Sequence, residues 1–434
     1  MSKPKTRYII IFLILVVLQL FSLFYSSDTF STEAASTIDK ADTAWMIVAT
    51  AFVLFMTPGL SFFYGGMVGF KNVISTMLQS FIALGVISLL WYFVGFSLAF
   101  GDSYYGLIGN PATYFCFGGV GLAPNSQFAP TIPFLIFALF QLKFAIITPA
   151  LITGSLAERI KFTSYLIFMC LFSILIYAPL AHWTWHPEGF LRQWGVLDFA
   201  GGTVVHMSAG FAALAGAYVL GKRESGNHRP ANVPFIILGT GMLWFGWFGF
   251  NAGSALAADG LAVQAFATTN MASASAMITW VMFDALVGRK ISAMGACIGA
   301  VVGLVAITPA AGFVSMGQSV FIGFAAAIAS NLAVYYKQQT TLDDTLDVFP
   351  CHGVGGIVGM LLTGVFAKEV GLINGTATTF LYHVLAMVIV GAFTFGGSLI
   401  IFKLTSLITE LRVSKEEENV GLDISQHAET LEIA

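Results

Sequence analysis

The feature that most constrains this chain is a succession of eleven long apolar runs between residues 43 and 408. Each run could cross about 30 Å of hydrocarbon as an α-helix rising about 1.5 Å per residue. Only 9% of the 434 residues are charged, whereas about 25% is usual in soluble proteins. So few charges could not cover a soluble surface of this size. We therefore expect an all-α polytopic membrane protein, and the net charge of −3 argues against a nucleic-acid partner.

The runs are continuous and lack the short alternation of a membrane β-barrel. We predict transmembrane helices at 43–69, 73–100, 131–157, 162–181, 199–220, 233–253, 266–287, 291–309, 313–336, 350–367 and 380–408.

The N-terminus has the order of a signal peptide. Lys3, Lys5 and Arg7 precede an apolar run over 8–25, and a small-x-small cleavage candidate ends at Ala34. The prediction is a signal peptide over 1–34. The run is long for that purpose, so an uncleaved anchor helix is the alternative.

A mature chain that starts outside places most basic connections on the inner side, as the positive-inside rule requires. The inner basic residues are then Lys71, Arg159, Lys161, Lys222, Arg223, Arg229, Arg289, Lys290, Lys337, Arg412 and Lys415. The outer side keeps only Lys40, Arg192 and Lys368. We predict a cell-membrane protein with a membrane domain over 35–410 and a charged cytoplasmic tail over 411–434.

Two short patterns recur five runs apart. The tetrapeptide Ile-Thr-Pro-Ala occurs at 147–150 and 307–310, and an Asp followed by a His occurs as Asp198 with His206 and as Asp347 with His352. An odd offset reverses the direction of the second copy in the membrane. This pattern is typical of an inverted repeat, whose functional path lies at the repeat interface.

Ionisable side chains inside membrane spans are costly and usually face a pathway. His206 and His352 are the leading examples, because a neutral imidazole offers one donor and one acceptor and two rings can share a proton. The alternative is a pair of interhelical hydrogen bonds. Asp198 begins a run, where it could cap the helix and also supply negative potential to a cation site.

Aromatic side chains could form a cation site near the outer end of the spans. Phe140 and Phe144 share a helix face, Phe250 precedes Ser254 by four residues, and Trp185 lies near the outer end of the fourth run. Since 14% of the residues are aromatic, composition alone cannot separate such a site from ordinary packing.

Several long motifs resemble the ammonium transporters of the Amt/Mep/Rh superfamily, and the bacterial Amt proteins most closely. The matching stretches are MTPGLSFFYGG (56–66), ITPALITGSLAERIKF (147–162), DFAGGTVVHMSAG (198–210), GWFGFNAGS (246–254), DVFPCHGVGGIVG (347–359) and the tail LRVSKEEENVGLDISQHAE (411–429).

This resemblance implies eleven transmembrane helices, with two five-helix halves in inverted repeat and a long eleventh helix. It also implies a homotrimer with one pore per protomer and a cytoplasmic docking surface for a PII signalling protein. The implied roles are an outer ammonium site of Phe140, Phe144, Trp185 and Ser254, a gate of Phe144 and Phe250, twin pore histidines His206 and His352, and a supporting acid Asp198.

Lys143 departs from the usual pattern of this family, in which a small or uncharged residue is more usual. It lies near mid-depth, within about 60–100° of the Phe140/Phe144 helix face. If it faced the pore it would repel a cation. If it faced a neighbouring helix or the trimer interface it would need a carbonyl or carboxylate partner, and we favour this second arrangement.

The resulting hypothesis is a transporter, not an enzyme, without metal or other cofactor, since no GxxxxGK[ST] or HExxH motif occurs. Ammonium would bind outside, lose a proton and pass as ammonia, with methylammonium as an analogue substrate. The competing hypothesis is an ammonium sensor with little transport, which signals through its tail or a PII protein.

Overall fold

The computed structural model describes residues 6–24, 38–224 and 229–431. Helix α1 covers Thr6–Phe24. The cleavage candidate at Ala34 lies outside the described residues, so the signal peptide remains a prediction. Eleven helices follow, namely α2 Lys40–Met67, α3 Phe70–Phe100, α4 Phe134–Leu156, α5 162–185, α6 Gly202–Leu220, α7 Val233–Ala255, α8 Gly260–Leu286, α9 Ala293–Ile307, α10 Met316–Gln338, α11 Phe349–Phe366 and α12 Ala377–Ile408.

Nine of the helices α2–α12 are long and apolar enough to cross a membrane, which confirms a multi-pass helical protein for the described part of the chain. The other two are α8 and α9. Helix α9 has 15 residues and would span only about 22 Å. Helix α8 has 27 residues, but its Thr, Ser, Asn and Gln side chains lower its hydropathy.

Successive helices run in opposite directions, so the bundle has two ends. The loop end carries the connection 101–133, and the tail end carries residues 409–431. The loop contains two small antiparallel sheets that the sequence analysis did not predict. Their strands are β1 Ser103–Tyr104, β2 Ile108–Gly109, β3 Pro124–Asn125 and β4 Ala129–Pro133.

Helices α6 and α11 cross near the middle of the bundle, and their first turns are π-helical. At the crossing a Cβ added to Gly210 would lie 2.3 Å from the backbone nitrogen of Gly353. A side chain there would force the two helices apart. Since His206 and His352 lie within one turn of this contact, the crossing brings the two imidazole rings together.

The structure corrects the repeat partner of Asp198. The carboxylate of Asp344 accepts hydrogen bonds from the nitrogens of Val348 and Phe349, four and five residues later. Asp198 binds the nitrogens of Gly202 and Thr203 at the same offsets. Each acid precedes its histidine by eight residues, so Asp344, and not Asp347, corresponds to Asp198. Asp347 instead pairs with Lys337 at 2.6 Å.

The tail packs against the bundle through two short helices, α13 Lys415–Val420 and α14 Leu422–His427. The buried carboxylate of Asp423 accepts hydrogen bonds from the backbone nitrogens of Ile74 and Ser75, at 3.1 and 2.8 Å. Asn72 accepts from the nitrogen of Leu422 at 2.8 Å. These contacts fasten the tail to the first turns of α3.

Ion pairs tie the tail-end connections to one another. Arg223 binds both oxygens of Asp343, at 2.8 and 2.9 Å, and also reaches Glu158 at 2.6 Å. Burial alone would raise the pKa of Asp343, but the hydrogen bonds and charge of Arg223 outweigh it and hold that pKa at about 2. The pair therefore stabilises the fold above the ordinary carboxyl pKa, and this contribution is lost as pH falls toward 2.

We expect Asp423→Ala to detach the tail, because it leaves two backbone donors of α3, one buried and one partly buried, without an acceptor. The loss corresponds to about 1–3 kcal/mol per unsatisfied group. Limited proteolysis of the purified protein should cut the variant within 411–431 faster than the wild type. Glu429→Ala is the control, since that side chain is exposed. Equal cleavage rates for Asp423→Ala and the wild type would contradict this account of the docked tail.

Candidate functional site

Asp198 builds the start of α6. Its carboxylate accepts hydrogen bonds from the nitrogens of Gly201, Gly202 and Thr203, at 2.8, 2.6 and 2.7 Å, and from the hydroxyl of Thr203. Gly201 has φ +117°, a conformation that suits glycine. Asp198 is 7% exposed, so its negative charge is held by the loop that it organises. The capping role predicted for it is present in the structure.

A cavity of about 320 Å³, here called the vestibule, opens at the loop end. Its lining includes Phe144, Trp185, Asp198 and Ser254. The indole nitrogen of Trp185 donates to the carbonyl of Asp198 at 3.1 Å, which fixes the ring at the rim. The hydroxyl of Ser254 donates to the carbonyl of Phe250 at 2.9 Å. The lone pairs of the Ser254 oxygen therefore remain available as acceptors.

Phe140 is not among the side chains that line the vestibule. It is 1% exposed and packs edge-on against Phe144, with ring centroids 4.9 Å apart and planes at 65°. The ring also lies against Gly253, where an added Cβ would come within 2.8 Å of it. Phe140 thus supports the site from behind.

Phe144 and Phe250 close the floor of the vestibule. Their ring centroids are 4.1 Å apart with planes inclined by 31°, and the two side chains are 1% and 0% exposed. Trp185 stands edge-on to Phe144, at 5.8 Å and 84°. A solute can pass this point only if the rings move apart.

His206 and His352 lie beneath the aromatic pair. Their Nδ1 atoms are 3.4 Å apart, and the ring centroids are separated by 5.5 Å. His206 stacks at 6.0 Å from Phe250 and at 5.3 Å from Trp247. Both imidazoles are almost completely buried. The sequence prediction that these two residues meet is therefore matched by the geometry.

Two small cavities of about 10 Å³ each flank His352. Each has room for about one water-sized molecule. The first is lined by Met56, Leu60, Phe63, Ile147, Leu151, Val205, His206, Leu243, Trp247, Phe250, Val301 and His352. The second reaches toward the tail end and is lined by Phe63, Tyr64, Met67, Ile298, Val301, Leu346, Val348, Cys351 and His352. Together they mark a narrow, largely apolar path, which we call the conduit.

Sequence reasoning missed four polar or aromatic groups around this path. Thr308 and Trp247 contact His206. Gln141 and Thr184 line the vestibule, and in the described part of the chain the Gln141 Oε1 and Thr184 Oγ1 atoms have no hydrogen-bond partner. Gln141 adjoins Phe140 and Thr184 adjoins Trp185 along the chain. For Gln141 and Thr184, this position next to a predicted site residue was the only signal in the sequence.

Lys143 lines neither the vestibule nor the conduit cavities. Its side chain is partly exposed, on the α4 face that also carries Ile136 and Leu139. Among residues 6–24, 38–224 and 229–431, no hydrogen bond or ion pair to Lys143 is found. The orientation away from the pore agrees with the favoured prediction, whereas the carbonyl or carboxylate partner is not found within the described chain.

In the described residues, no group of three or more His, Cys, Asp or Glu side chains is arranged to hold a metal ion. The arrangement instead offers aromatic faces and hydroxyl acceptors above a closed aromatic pair, and two hydrogen-bonded imidazoles below it. These features define a multi-pass membrane protein with a narrow apolar path for a small polar solute.

The sequence profile of the Ammonium Transporter Family matches residues 44–432, and the chain belongs to that family. An ammonium transporter of Aquifex aeolicus is 44% identical over 413 residues, which cover 93% of this chain and 96% of the relative. One from Bacillus subtilis is 42% identical over 403 residues, which cover 90% and 98%. The family resemblance of the motifs is thereby confirmed.

Solved structures agree with this assignment. Mep2 of Saccharomyces cerevisiae superposes with a TM-score of 0.82 at 35% identity, over 88% of this chain and 89% of Mep2. A structure described as a sensor Amt protein gives a TM-score of 0.83 at 31% identity, over 89% and 98%.

We expect Asp198→Asn to destabilise the protein, because an amide NH2 would face backbone donors in place of an acceptor. The expected loss is about 1–3 kcal/mol, measured as a lower thermal midpoint of the purified protein. Asp259→Asn is the matched control, since Asp259 caps α8 with a single hydrogen bond from the nitrogen of Ala262. A shift for Asp198→Asn no larger than that of the control would contradict the role assigned to this carboxylate.

Proposed function

We propose that the protein transports ammonium across the membrane, binding NH4+ in the vestibule and conducting NH3 through the conduit. The observation that carries the proposal is the pair of imidazoles in an apolar path with room for about one small molecule at a time. The names of the relatives agree with this substrate. Methylammonium is the expected analogue.

The vestibule offers two kinds of attraction to an ammonium ion. The faces of Phe144 and Trp185 attract a cation, by about 0.5–2 kcal/mol each. Ser254 supplies an acceptor for one N–H bond, since its own proton is committed to Phe250. The charge of Asp198 adds a favourable potential nearby without direct contact. Ammonium can therefore lose water there and stay oriented by a directed hydrogen bond.

Passage below Phe144 and Phe250 requires the loss of charge, because an ion in an apolar path pays a large desolvation cost. Desolvation favours the neutral form of an amine, so deprotonation becomes easier as the ion descends. Ammonia can then hydrogen-bond to the imidazoles, and the proton can follow separately along the twin histidines. Potassium has similar size but no proton to lose, so it stays in the vestibule.

The topology that accompanies this function has eleven transmembrane helices, α2–α12. The halves α2–α6 and α7–α11 form an inverted repeat, which the Asp198–His206 and Asp344–His352 correspondence supports. The loop end faces outward and the tail end faces the cytoplasm of a cell membrane. All ion pairs found among the described residues lie at the tail end, as expected for the side with most Lys and Arg.

Further parts of the proposal rest on the family resemblance. Residues 1–34 act as a signal peptide, and helix α1 is its apolar segment. The membrane domain covers 35–410 and assembles as a homotrimer, one pore per protomer. The tail over 411–434 and the tail-end loops form the docking surface for a PII signalling protein. No enzymatic activity or cofactor is proposed.

A second candidate function is ammonium sensing with little transport. The observation that favours it is the similarity to the structure described as a sensor Amt protein. In that case occupancy of the vestibule would change the docking of α13 and α14, and little ammonia would pass Phe144 and Phe250. The two candidates differ in the uptake that they predict.

Uptake separates the candidates. In a strain without its own ammonium carriers, the protein should restore uptake of methylammonium, and in bilayers ammonium should evoke a current. Replacing His206 and His352 by Leu should lower that current by about 100-fold, because the pair supplies the imidazoles that line the conduit in the described part of the chain. His383→Gln, which alters a buried imidazole outside the conduit, is the control.

Two outcomes would count against these ideas. No uptake by correctly inserted wild-type protein would favour the sensor. An undiminished, ammonium-selective current in the His206→Leu/His352→Leu variant would exclude the proton relay while leaving transport intact.

Lys143 supplies a separate test of the path. Since it lines neither cavity, Lys143→Met should change uptake by no more than about twofold, the effect expected away from a site. Gln141→Lys is the matched comparison, because it places the same charge two residues away on the vestibule wall. That variant should repel ammonium and abolish uptake. A severalfold gain of uptake in Lys143→Met would show that the native lysine obstructs the path.

A further inference from the structure

The hydroxyl of Thr308 joins three groups at the end of α9. It lies 2.8 Å from the carbonyl oxygen of Leu304, 2.9 Å from the indole Nε1 of Trp247 and 3.3 Å from the Nε2 of His206. Thr308 is fully buried, so water does not compete for these contacts. The arrangement determines which of the three partners receives the hydroxyl proton.

That proton goes to Leu304. The backbone nitrogen of Thr308 bonds to the carbonyl of Val305 at 3.2 Å, and residue 309 is a proline without an N–H group. The carbonyl of Leu304 therefore relies on the hydroxyl. An indole N–H can only donate, so Trp247 occupies one lone pair of the Thr308 oxygen. The remaining lone pair faces the Nε2 of His206.

We propose that Thr308 fixes His206 as the tautomer protonated at Nε2 and thereby gives the histidine pair a direction. With its proton on Nε2, His206 has a bare Nδ1, which must accept from the Nδ1–H of His352 across the 3.4 Å contact. The Nε2 of His352 is then the one imidazole nitrogen of the pair whose lone pair is uncommitted in the described structure. Thr308 is a positioning residue, since it acts through His206.

The repeat shows that this polarity belongs to one half only. Thr148 occupies the position equivalent to Thr308, and its hydroxyl donates to the carbonyl of Phe144 at 2.7 Å in the same way. Within the described residues, however, Thr148 makes no hydrogen bond to His352. One imidazole is therefore tied to its threonine and the other is not, although the two halves place both rings similarly.

The consequence for transport rests on the proposed function. In the resting arrangement, the pair can take a proton only at the Nε2 of His352, on the tail-end side. An ammonium ion that reaches this nitrogen from the tail end and gives up its proton there breaks one N–H bond and forms another on the imidazole, leaving ammonia and an imidazolium. Uptake of a proton at the Nε2 of His206, on the vestibule side, would require the opposite tautomer of both rings, with the Nε2 of His206 bare and its Nδ1–H donating to the Nδ1 of His352.

Nitrogen NMR of the full-length protein in bilayers tests the tautomer directly. The dipeptides Val205-His206 and Cys351-His352 are each the only Val-His and Cys-His pair in the sequence. Carbonyl-13C valine or cysteine combined with 15N-histidine therefore assigns each ring without mutation. The wild type should show His206 protonated at Nε2 and His352 protonated at Nδ1. A wild-type spectrum with His206 protonated at Nδ1 would overturn the proposal.

Three variants extend the test. Thr308→Val keeps the shape of the side chain but removes the hydroxyl, so His206 should become a mixture of tautomers. Thr308→Ser should restore the wild-type spectrum, and Thr148→Val should leave it unchanged. If both tautomers become equally populated, the current evoked in Thr308→Val by ammonium applied at the tail end should fall about twofold, in proportion to the competent fraction. An unchanged His206 tautomer in Thr308→Val would also overturn the proposal.

The NMR spectra test the role of Thr308, and the transport assay separately tests the proposed function. Expected spectra without ammonium transport would reject the proposed function and keep the role of Thr308. If the protein transports ammonium but the His206 tautomer is the same in the wild type and in Thr308→Val, this inference alone is rejected.

Discussion

The close crossing of α6 and α11 is the contact on which the rest of the site depends. Contact between the backbones of Gly210 and Gly353 lets two helix starts meet inside the bundle. Asp198 and Asp344 satisfy the free backbone donors at those starts, which would be costly to bury without partners. The carboxylates that stabilise the helix ends are thus not among the residues that line the conduit cavities, whereas the imidazoles of His206 and His352 are.

Much of this architecture follows from local sequence signals. Long apolar runs predicted the helices, since a membrane span depends on length and hydropathy more than on tertiary contacts. The start of α8 was placed six residues late, at 266, although Gln264 is the one polar side chain among residues 260–265. The strands of the loop end were missed, since they are two to five residues long and depend on the connection folding back on itself.

Some site residues were predicted from the sequence and others were missed, and the difference has a physical reason. His206 and His352 stand out because ionisable groups are rare in membrane spans. Asp347 was paired with Asp198 because it adjoins the histidine motif, whereas the common spacing of eight residues identifies Asp344. Trp247 and Thr308 stand in motifs noted in the sequence, but their contact with His206 could not be predicted, since each meets it from a distant part of the chain. Phe140 was predicted to be in the site because it shares a helix face with Phe144, but its ring does not line the vestibule.

The distribution of hydrogen-bond partners along the path accounts for where, in the proposed mechanism, an ammonium ion would give up its charge. In the vestibule, Ser254 can accept from a cation, and so can the oxygens of Gln141 and Thr184, which have no partner among the described residues. Below Phe144 and Phe250 the described cavities are lined by apolar side chains, the imidazoles, Trp247, Tyr64 and Cys351. The indole N–H is already committed to Thr308, and the Tyr64 hydroxyl donates to the carbonyl of Leu151 at 3.0 Å. An ammonium ion has four N–H donors to satisfy, whereas ammonia has three and is neutral. In the proposed mechanism, the aromatic pair is therefore the boundary at which the neutral species would become the one with the lower free energy.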